Sequence, residues 1–187
     1  MSADKFEQFR YKNEFSRSSK IKRFIWNIVY LLLFRPTPGW ALHGWRIFLL
    51  RCFGAKVGNN CKIYPSCRIW APWNLELGSF VCLAEHVDCY SVALIKMGSK
   101  VTISQRSFIC TASHDIGLLN RPLIHKPIEI ADHAWVCAES FLAPGVIVGE
   151  GAVIGARSAV FKDVEAWSVV GGNPAKFIKK RILRDGN

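Results

Sequence analysis

Beginning at Val57, the chain returns to an apolar residue every sixth position and holds that rhythm to Val160. The series runs Val57, Ile63, Ile69, then Leu77, Leu83, Cys89, then Met97, Ile103, Ile109, and finally Ile130, Val136, Leu142, Val148, Ile154 and Val160. A period of six matches neither the 3.6-residue turn of a helix nor the two-residue alternation of an ordinary strand. Four places after most of these residues comes a small one, among them Cys61, Cys67, Val81, Ala93, Ser107, Ser113, Ala134, Ser140, Ala152 and Ser158, with Trp73 the large exception. Short repeats of this kind predict a parallel β-solenoid, because each repeat is too small to bury its apolar face alone and stacking supplies a continuous core. Three hexads make one triangular coil, with the apolar residue inside and the small residue at the bend.

The breaks in the rhythm are regular too. Leu77 to Met97 is 20 residues, three hexads plus two, and Met97 to Ile130 is 33, the same 20 plus 13. The extra 13 predict one loop leaving the prism at about Asp115–Pro127, and long loops in compact domains are commonly functional. Glycine follows several apolar positions, at Gly58, Gly78, Gly98, Gly149 and Gly155, as tight turns would favour. A β-sandwich of short strands gives no reason for a fixed register over about a hundred residues. The solenoid is expected over 55–171, after a helical extension over 1–54 and before a short C-terminal helix or cap over 172–187. Asn173 suits the N-cap of that helix and Pro174 its first turn.

Within the extension, an apolar run from Phe24 to Phe34 follows the basic cluster Lys20, Lys22 and Arg23 and is ended by Arg35-Pro36. It reads as a helix apolar nearly all round, and at eleven residues it falls short of the ~20 that cross a bilayer. A long charged lead and the lack of a small-x-small site argue against a cleaved signal. Two readings stay open: packing on the prism or a neighbouring subunit, or in-plane attachment to a cytoplasmic membrane with basic flanks on anionic lipid. His43–Phe53 carries the same ambiguity.

Charge follows this division. Of a net charge of +11, residues 1–68 hold 13 Lys/Arg against 3 Asp/Glu, and residues 69–187 hold 12 against 11. Such asymmetry suits nucleic acid or an anionic membrane surface, and no helix-turn-helix, zinc-finger or RNA-binding motif supports the first. The seven cysteines contain no Cys-x-x-Cys pair and read as free thiols of a reducing compartment. Cys61 and Cys67 at corners and Cys89 inside read as packing residues.

His114 stands where the long loop departs. An imidazole can take a hydroxyl proton near neutral pH and pass it on, which singles it out from His43, His86, His125 and His133. His86 falls one coil below and can approach the same substrate.

Two stretches now carry a resemblance. Pro127–Ala138, followed by Pro144-Gly145-Val146-Ile147-Val148-Gly149 and Val153-Ile154-Gly155-Ala156-Arg157-Ser158, closely resembles the acetyl-CoA half of the hexapeptide-repeat acyltransferases. The likeness covers about Ala55 to the C-terminus and implies a left-handed parallel β-helix, usually a homotrimer with active sites between neighbouring prisms. It implies His114 as general base, a pantetheine groove that needs small outward residues such as Ala138 and Ala156, and Trp135 flanking the site. Phe161, Lys162 and Lys179 match positions near the nucleotide end, although Phe161 replaces a frequent threonine and Arg157 a frequent glycine.

A narrower likeness, carried by Leu49–Gly58, Ile69–Leu75, Ile103–Arg106 and Cys110–Asp115, is to the colanic-acid type of exopolysaccharide O-acetyltransferase. It implies a sugar or glycan acceptor. Smaller sugar acetyltransferases often carry an asparagine one coil below the base, where this chain has Ala84, so Glu85, His86, Asp88 and Tyr90 are the local acceptor candidates.

The expected reaction is direct acetyl transfer from acetyl-CoA to a sugar hydroxyl in a ternary complex, with no metal. Asp115 is a weak candidate to orient His114, since adjacent residues of an extended segment face opposite ways. Rival readings are an acyl-enzyme at Cys110, a zinc enzyme of the carbonic-anhydrase type on the same β-helix, and a non-catalytic membrane-associated scaffold. The zinc reading lacks its second histidine, because position 119 is Leu119.

Overall fold

Each apolar residue of the six-residue series lies in a strand and points inward, none more than 8% exposed. A computed structural model describes residues 15–184. The first coil is β1 (Lys56–Val57), β2 (Lys62–Ile63) and β3 (Arg68–Ile69), and the second is β4 (Leu75–Leu77), β5 (Cys82–Leu83) and β6 (Asp88–Tyr90). The third is β7 (Ile95–Met97), β8 (Thr102–Ile103) and β9 (Phe108–Cys110). After an excursion through β10 (Ala112–His114) and β11 (Leu123–His125), the fourth is β12 (Ile128–Ile130), β13 (Trp135–Val136) and β14 (Phe141–Leu142). The fifth is β15 (Ile147–Val148), β16 (Val153–Ile154) and β17 (Ala159–Val160), followed by β18 (Ser168–Gly171) and β19 (Lys176–Lys180).

First, second and third strands of successive coils stack into three sheets, here faces A, B and C of a prism. On face A the parallel pairs Val57↔Leu77, Leu77↔Met97, Met97↔Ile130 and Ile130↔Val148 step by 20, 20, 33 and 18 residues. The 33-residue step absorbs the excursion without disturbing register.

Corners are filled by the residue two places before each inward one. Cys61, Cys67, Val81, Val87, Val101, Ala134 and Ala152 are buried there. At the bend from face C to face A, however, Trp73, Ala93 and Ser113 are not the corner residues; the buried Leu75, Ile95 and Ile128 are. Extra residues widen this bend, through a 3-10 turn at Pro72–Asn74 in the first coil, and a wider bend takes a larger side chain.

Glycines after the apolar positions serve close approach rather than a special backbone. A Cβ on Gly78 would sit 2.6 Å from the Gly98 carbonyl carbon, and one on Gly58 2.6 Å from that of Gly78. Left-handed backbone falls instead on Asn60, Phe80, Lys100, His133 and Trp167 at one corner and on His86, Arg106, Glu139 and Arg157 at the next.

Two helices close the first-coil end. Helix α1 (Arg17–Val29), capped by the Ser16 hydroxyl accepting from the Ser19 amide at 3.1 Å, runs on through a π-helical turn, Tyr30–Phe34. Helix α2 spans His43–Cys52. Trp26, Phe34, Ile47 and Leu50 join the core, and Trp26 Nε1 donates to the Ile69 carbonyl at 2.7 Å. Arg46 is fully buried without a carboxylate partner, donating instead to the Ile63, Pro38 and Ala41 carbonyls and the Thr37 hydroxyl. It ties α2, the preceding turn and the first coil together.

The far end departs from the expected C-terminal helix. Residues Lys176–Lys180 form β19, antiparallel to β18, whose other side pairs with β16. Gly172, at φ +99°, helps turn the chain back, and the open edge of β18 offers a five-residue segment backbone partners that a helix so short could not supply for itself.

Candidate active site

The excursion between the third and fourth coils is a hairpin, with Ala112↔His125, Ser113↔Ile124 and His114↔Leu123 in register. It therefore begins before His114, rather than after it as the loop reading expects. Its base is anchored by buried hydroxyls along the face C–face A corner. Thr111 Oγ1 donates to the Tyr90 carbonyl at 2.7 Å and accepts from the Ala93 amide at 2.9 Å, while Lys126 N donates to the Thr111 carbonyl at 2.9 Å. Beneath it, Ser91 exchanges hydrogen bonds with the Ala71 backbone.

His114 is solvent-exposed on this hairpin, with Nδ1 2.6 Å from the Arg121 carbonyl oxygen. A carbonyl only accepts, so Nδ1 carries the hydrogen and Nε2 keeps its lone pair in the neutral ring. The orienting group is thus a backbone oxygen of the turn that precedes β11. Asp115 is occupied elsewhere: its Oδ1 accepts from the Gly117 amide at 2.8 Å and its amide donates to the Pro122 carbonyl at 3.0 Å. Cys110 is buried, its thiol directed at the Ala112 carbonyl at 3.1 Å, and burial pushes that thiol up. A buried, protonated thiol is a poor nucleophile.

The other candidates do not gather round His114 within one chain. Trp135 lies on face B, opposite the corner that bears His114, with Nε1 donating to Ser104 Oγ at 2.9 Å. Ala138 and Ala156 sit at the face B–face C corner of the fourth and fifth coils, one prism face away from the hairpin. There Glu139 binds Arg157 Nε at 2.7 Å and Arg106 Nη1 at 3.4 Å, contacts that hold its carboxyl below the usual range, Arg157 most of all. Arg157, at φ +59°, occupies the left-handed position where the family pattern has glycine.

The four acceptor candidates also divide. Glu85 and His86 belong to the face B–face C corner of the second coil, whereas Asp88 and Tyr90 stand on face C below the hairpin. Asp88 is half-buried, 3.9 Å from Arg68, and burial raises its carboxyl against the lowering effect of that arginine. Tyr90 belongs to an aromatic ladder up face C, Trp70–Tyr90–Phe108–Phe141–Phe161, with ring centroids 5.5 to 6.2 Å apart.

At the top of that ladder Phe161 and Lys162 line a cavity of about 540 Å³ together with Val170, Phe177, Lys176 and Lys180. Lys179 points into a separate hollow with Arg181 and Arg184. A register shift between Val169 and Val170 sets Phe177 opposite Val170 and Lys180 opposite Ser168, so Lys176, Phe177 and Lys180, residues hidden by reading this segment as a helix, line the cavity with Lys162 while Lys179 does not. Among the described residues no three His, Cys, Asp or Glu side chains converge as a metal site.

No family model matches the chain. WcaF of Escherichia coli strain K12, named as a colanic acid biosynthesis acetyltransferase, is 40% identical over 174 residues, 93% of this chain and 95% of the relative. A hexapeptide-repeat acetyltransferase of Vibrio cholerae, solved with acetyl coenzyme A, superposes with a TM-score of 0.82 at 23% identity, covering 98% of this chain and 100% of that one. A galactoside acetyltransferase solved with coenzyme A gives a TM-score of 0.74 at 20% identity over 96% and 91% of the two chains. These folds are left-handed parallel β-helices, and the hand is shared here. With WcaF matched over nearly the full length of both chains, this protein belongs to the hexapeptide-repeat acetyltransferases, in the branch of the colanic-acid-type exopolysaccharide enzymes.

Proposed function

We propose that the protein transfers an acetyl group from acetyl-CoA to a sugar hydroxyl of an exopolysaccharide precursor, with His114 as general base. The observation that carries the chemistry is the His114 Nδ1–Arg121 carbonyl bond at 2.6 Å, which leaves Nε2 as acceptor. The acceptor hydroxyl gives its proton to Nε2 as its oxygen bonds to the thioester carbonyl carbon. The tetrahedral intermediate then expels the thiolate, which takes that proton from the imidazolium and leaves as coenzyme A. No acyl-enzyme is required.

The reading includes a homotrimer. His114 stands open to solvent, and Trp135, Ala138 and Ala156 lie on other parts of the prism, so a neighbouring prism supplying those surfaces would complete the site. The hairpin tip supports this, with Ile116 96% and Leu119 67% exposed. The cavity beside Phe161 and Lys162 suits the nucleotide end of coenzyme A, offering rings for the base and lysines for phosphate. Asp88 and Tyr90 are the better acceptor contacts, with Glu85 and His86 more distant. The reaction is proposed to run in the cytoplasm, peripheral to the inner face of the membrane.

The test is an acetyl-CoA consumption assay across sugars and lipid-linked sugars. His114→Ala should lose at least ~100-fold in turnover while coenzyme A binding stays near wild type. Wild-type turnover in that variant would remove His114 from the mechanism.

A further inference from the structure

The N-terminal helix has two apolar faces, and only one packs on the prism. Trp26, Tyr30 and Phe34, four residues apart, look inward; Trp26 and Phe34 are buried, and Trp26 is hydrogen-bonded to the first coil. On the outer side Ile21, Phe24, Ile25, Ile28, Leu31 and Leu32 follow one another at helical spacing, each 44 to 66% exposed. This strip continues past Leu33, whose carbonyl accepts from Trp45 Nε1 at 2.9 Å, to the stacked rings of Trp45 and Phe48 on α2, 5.7 Å apart. Single exposed apolar residues are ordinary, but a continuous patch marks an interaction surface.

Charge identifies the occupant. Residues 15–75 contain ten Lys/Arg and no Asp or Glu. Arg17, Lys20, Lys22 and Arg35 are exposed along or beside α1. A second copy laid on this face would set cation against cation, with no carboxylate on either helix among the described residues to lie between them. The occupant must offer both apolar depth and negative charge. A bilayer of anionic phospholipid offers both, and a helix with Phe, Trp and Leu on one side and basic flanks lies in its interface. Trp40, 86% exposed in the connection between α1 and α2, suits the headgroup level. No helix of the described residues is long and apolar enough to cross a membrane, so the attachment lies in the plane.

We propose that the outer face of α1, its π-helical turn and the Trp45–Phe48 pair of α2 form a docking surface for an anionic phospholipid bilayer. The inference deepens the peripheral location proposed above and uses none of the residues assigned to the acetyl transfer.

Sedimentation of the full chain with vesicles tests it. Partition onto mixed phosphatidylcholine–phosphatidylglycerol vesicles should exceed that onto phosphatidylcholine alone by at least ~10-fold and weaken with salt. Phe24→Asp with Ile28→Asp, and separately Arg17→Glu with Lys20→Glu, should each lose about 10-fold or more, with unchanged thermal midpoint and unchanged acetyl transfer to a soluble sugar. The charge pair carries the test if the aspartate pair fails to fold.

Partition indifferent to lipid charge, or both variants binding as wild type, overturns the inference. So does a wild type that ignores vesicles: a mass in solution that falls in the aspartate pair would then assign the face to a second copy, and an unchanged mass to an acidic protein. A chain that pellets with anionic vesicles but transfers no acetyl group leaves the docking surface standing and overturns the function above.

Discussion

At the scale of single residues, the break in the hexad series singles out His114 as the proposed base, but nothing in the sequence announces the group that orients it. Arg121 contributes only a carbonyl oxygen, which no residue type announces, and its approach depends on the hairpin register His114↔Leu123. Asp88 is an acceptor candidate by its place in the sequence alone, and the structure adds a physical property. Its carboxyl is half-buried, with Oδ1 lacking a hydrogen-bond partner, and burial raises its proton affinity. The folded protein thus binds this proton more tightly than the unfolded chain, so the associated stability declines as pH rises through the raised value. Asp88→Asn should flatten that part of the stability–pH curve and raise the thermal midpoint near neutral pH. An unchanged curve in denaturant titrations across the acid range would show that Arg68 already compensates the buried charge.

At the scale of elements, the inward positions could be read directly because the hexad depends on local spacing alone. Corner residues were less legible. Counting forward from Ile69 arrives at Trp73, whereas the corner is filled by Leu75, because two added residues shift the count. The glycine pattern was visible, yet its cause was not: the next coil's backbone, distant in sequence, excludes a Cβ at Gly78. Gly78→Ala should therefore destabilise by about 1–3 kcal/mol, measurable by urea unfolding, even though alanine is comfortable in extended backbone. A neutral substitution there would mean that the coils separate easily. The misread C-terminal segment has a similar origin, since Asn173-Pro174 also fits a helix start and only the nearby edge of β18 favours a strand.

At the scale of the whole molecule, the prism scatters the residues proposed for donor and acceptor over different faces, and the proposed association would bring such surfaces together. A heterologous contact repeated about a threefold axis closes on itself, and the proposed trimer would use the exposed hairpin tip as that contact. Leu119→Asp should shift the mass in solution from trimer toward monomer and reduce turnover, while the solenoid's circular dichroism stays unchanged. A trimer that persists in that variant would move the contact away from the hairpin. The two ends of the prism are finished differently, one plugged by helices and the other edged by β19. A stack of parallel strands carries no internal count of its own coils, so it could continue onto another chain wherever an edge stays open. By reversing direction against β18, the last strand ends the parallel register, and the solenoid stays a particle of defined length instead of the seed of a fibre.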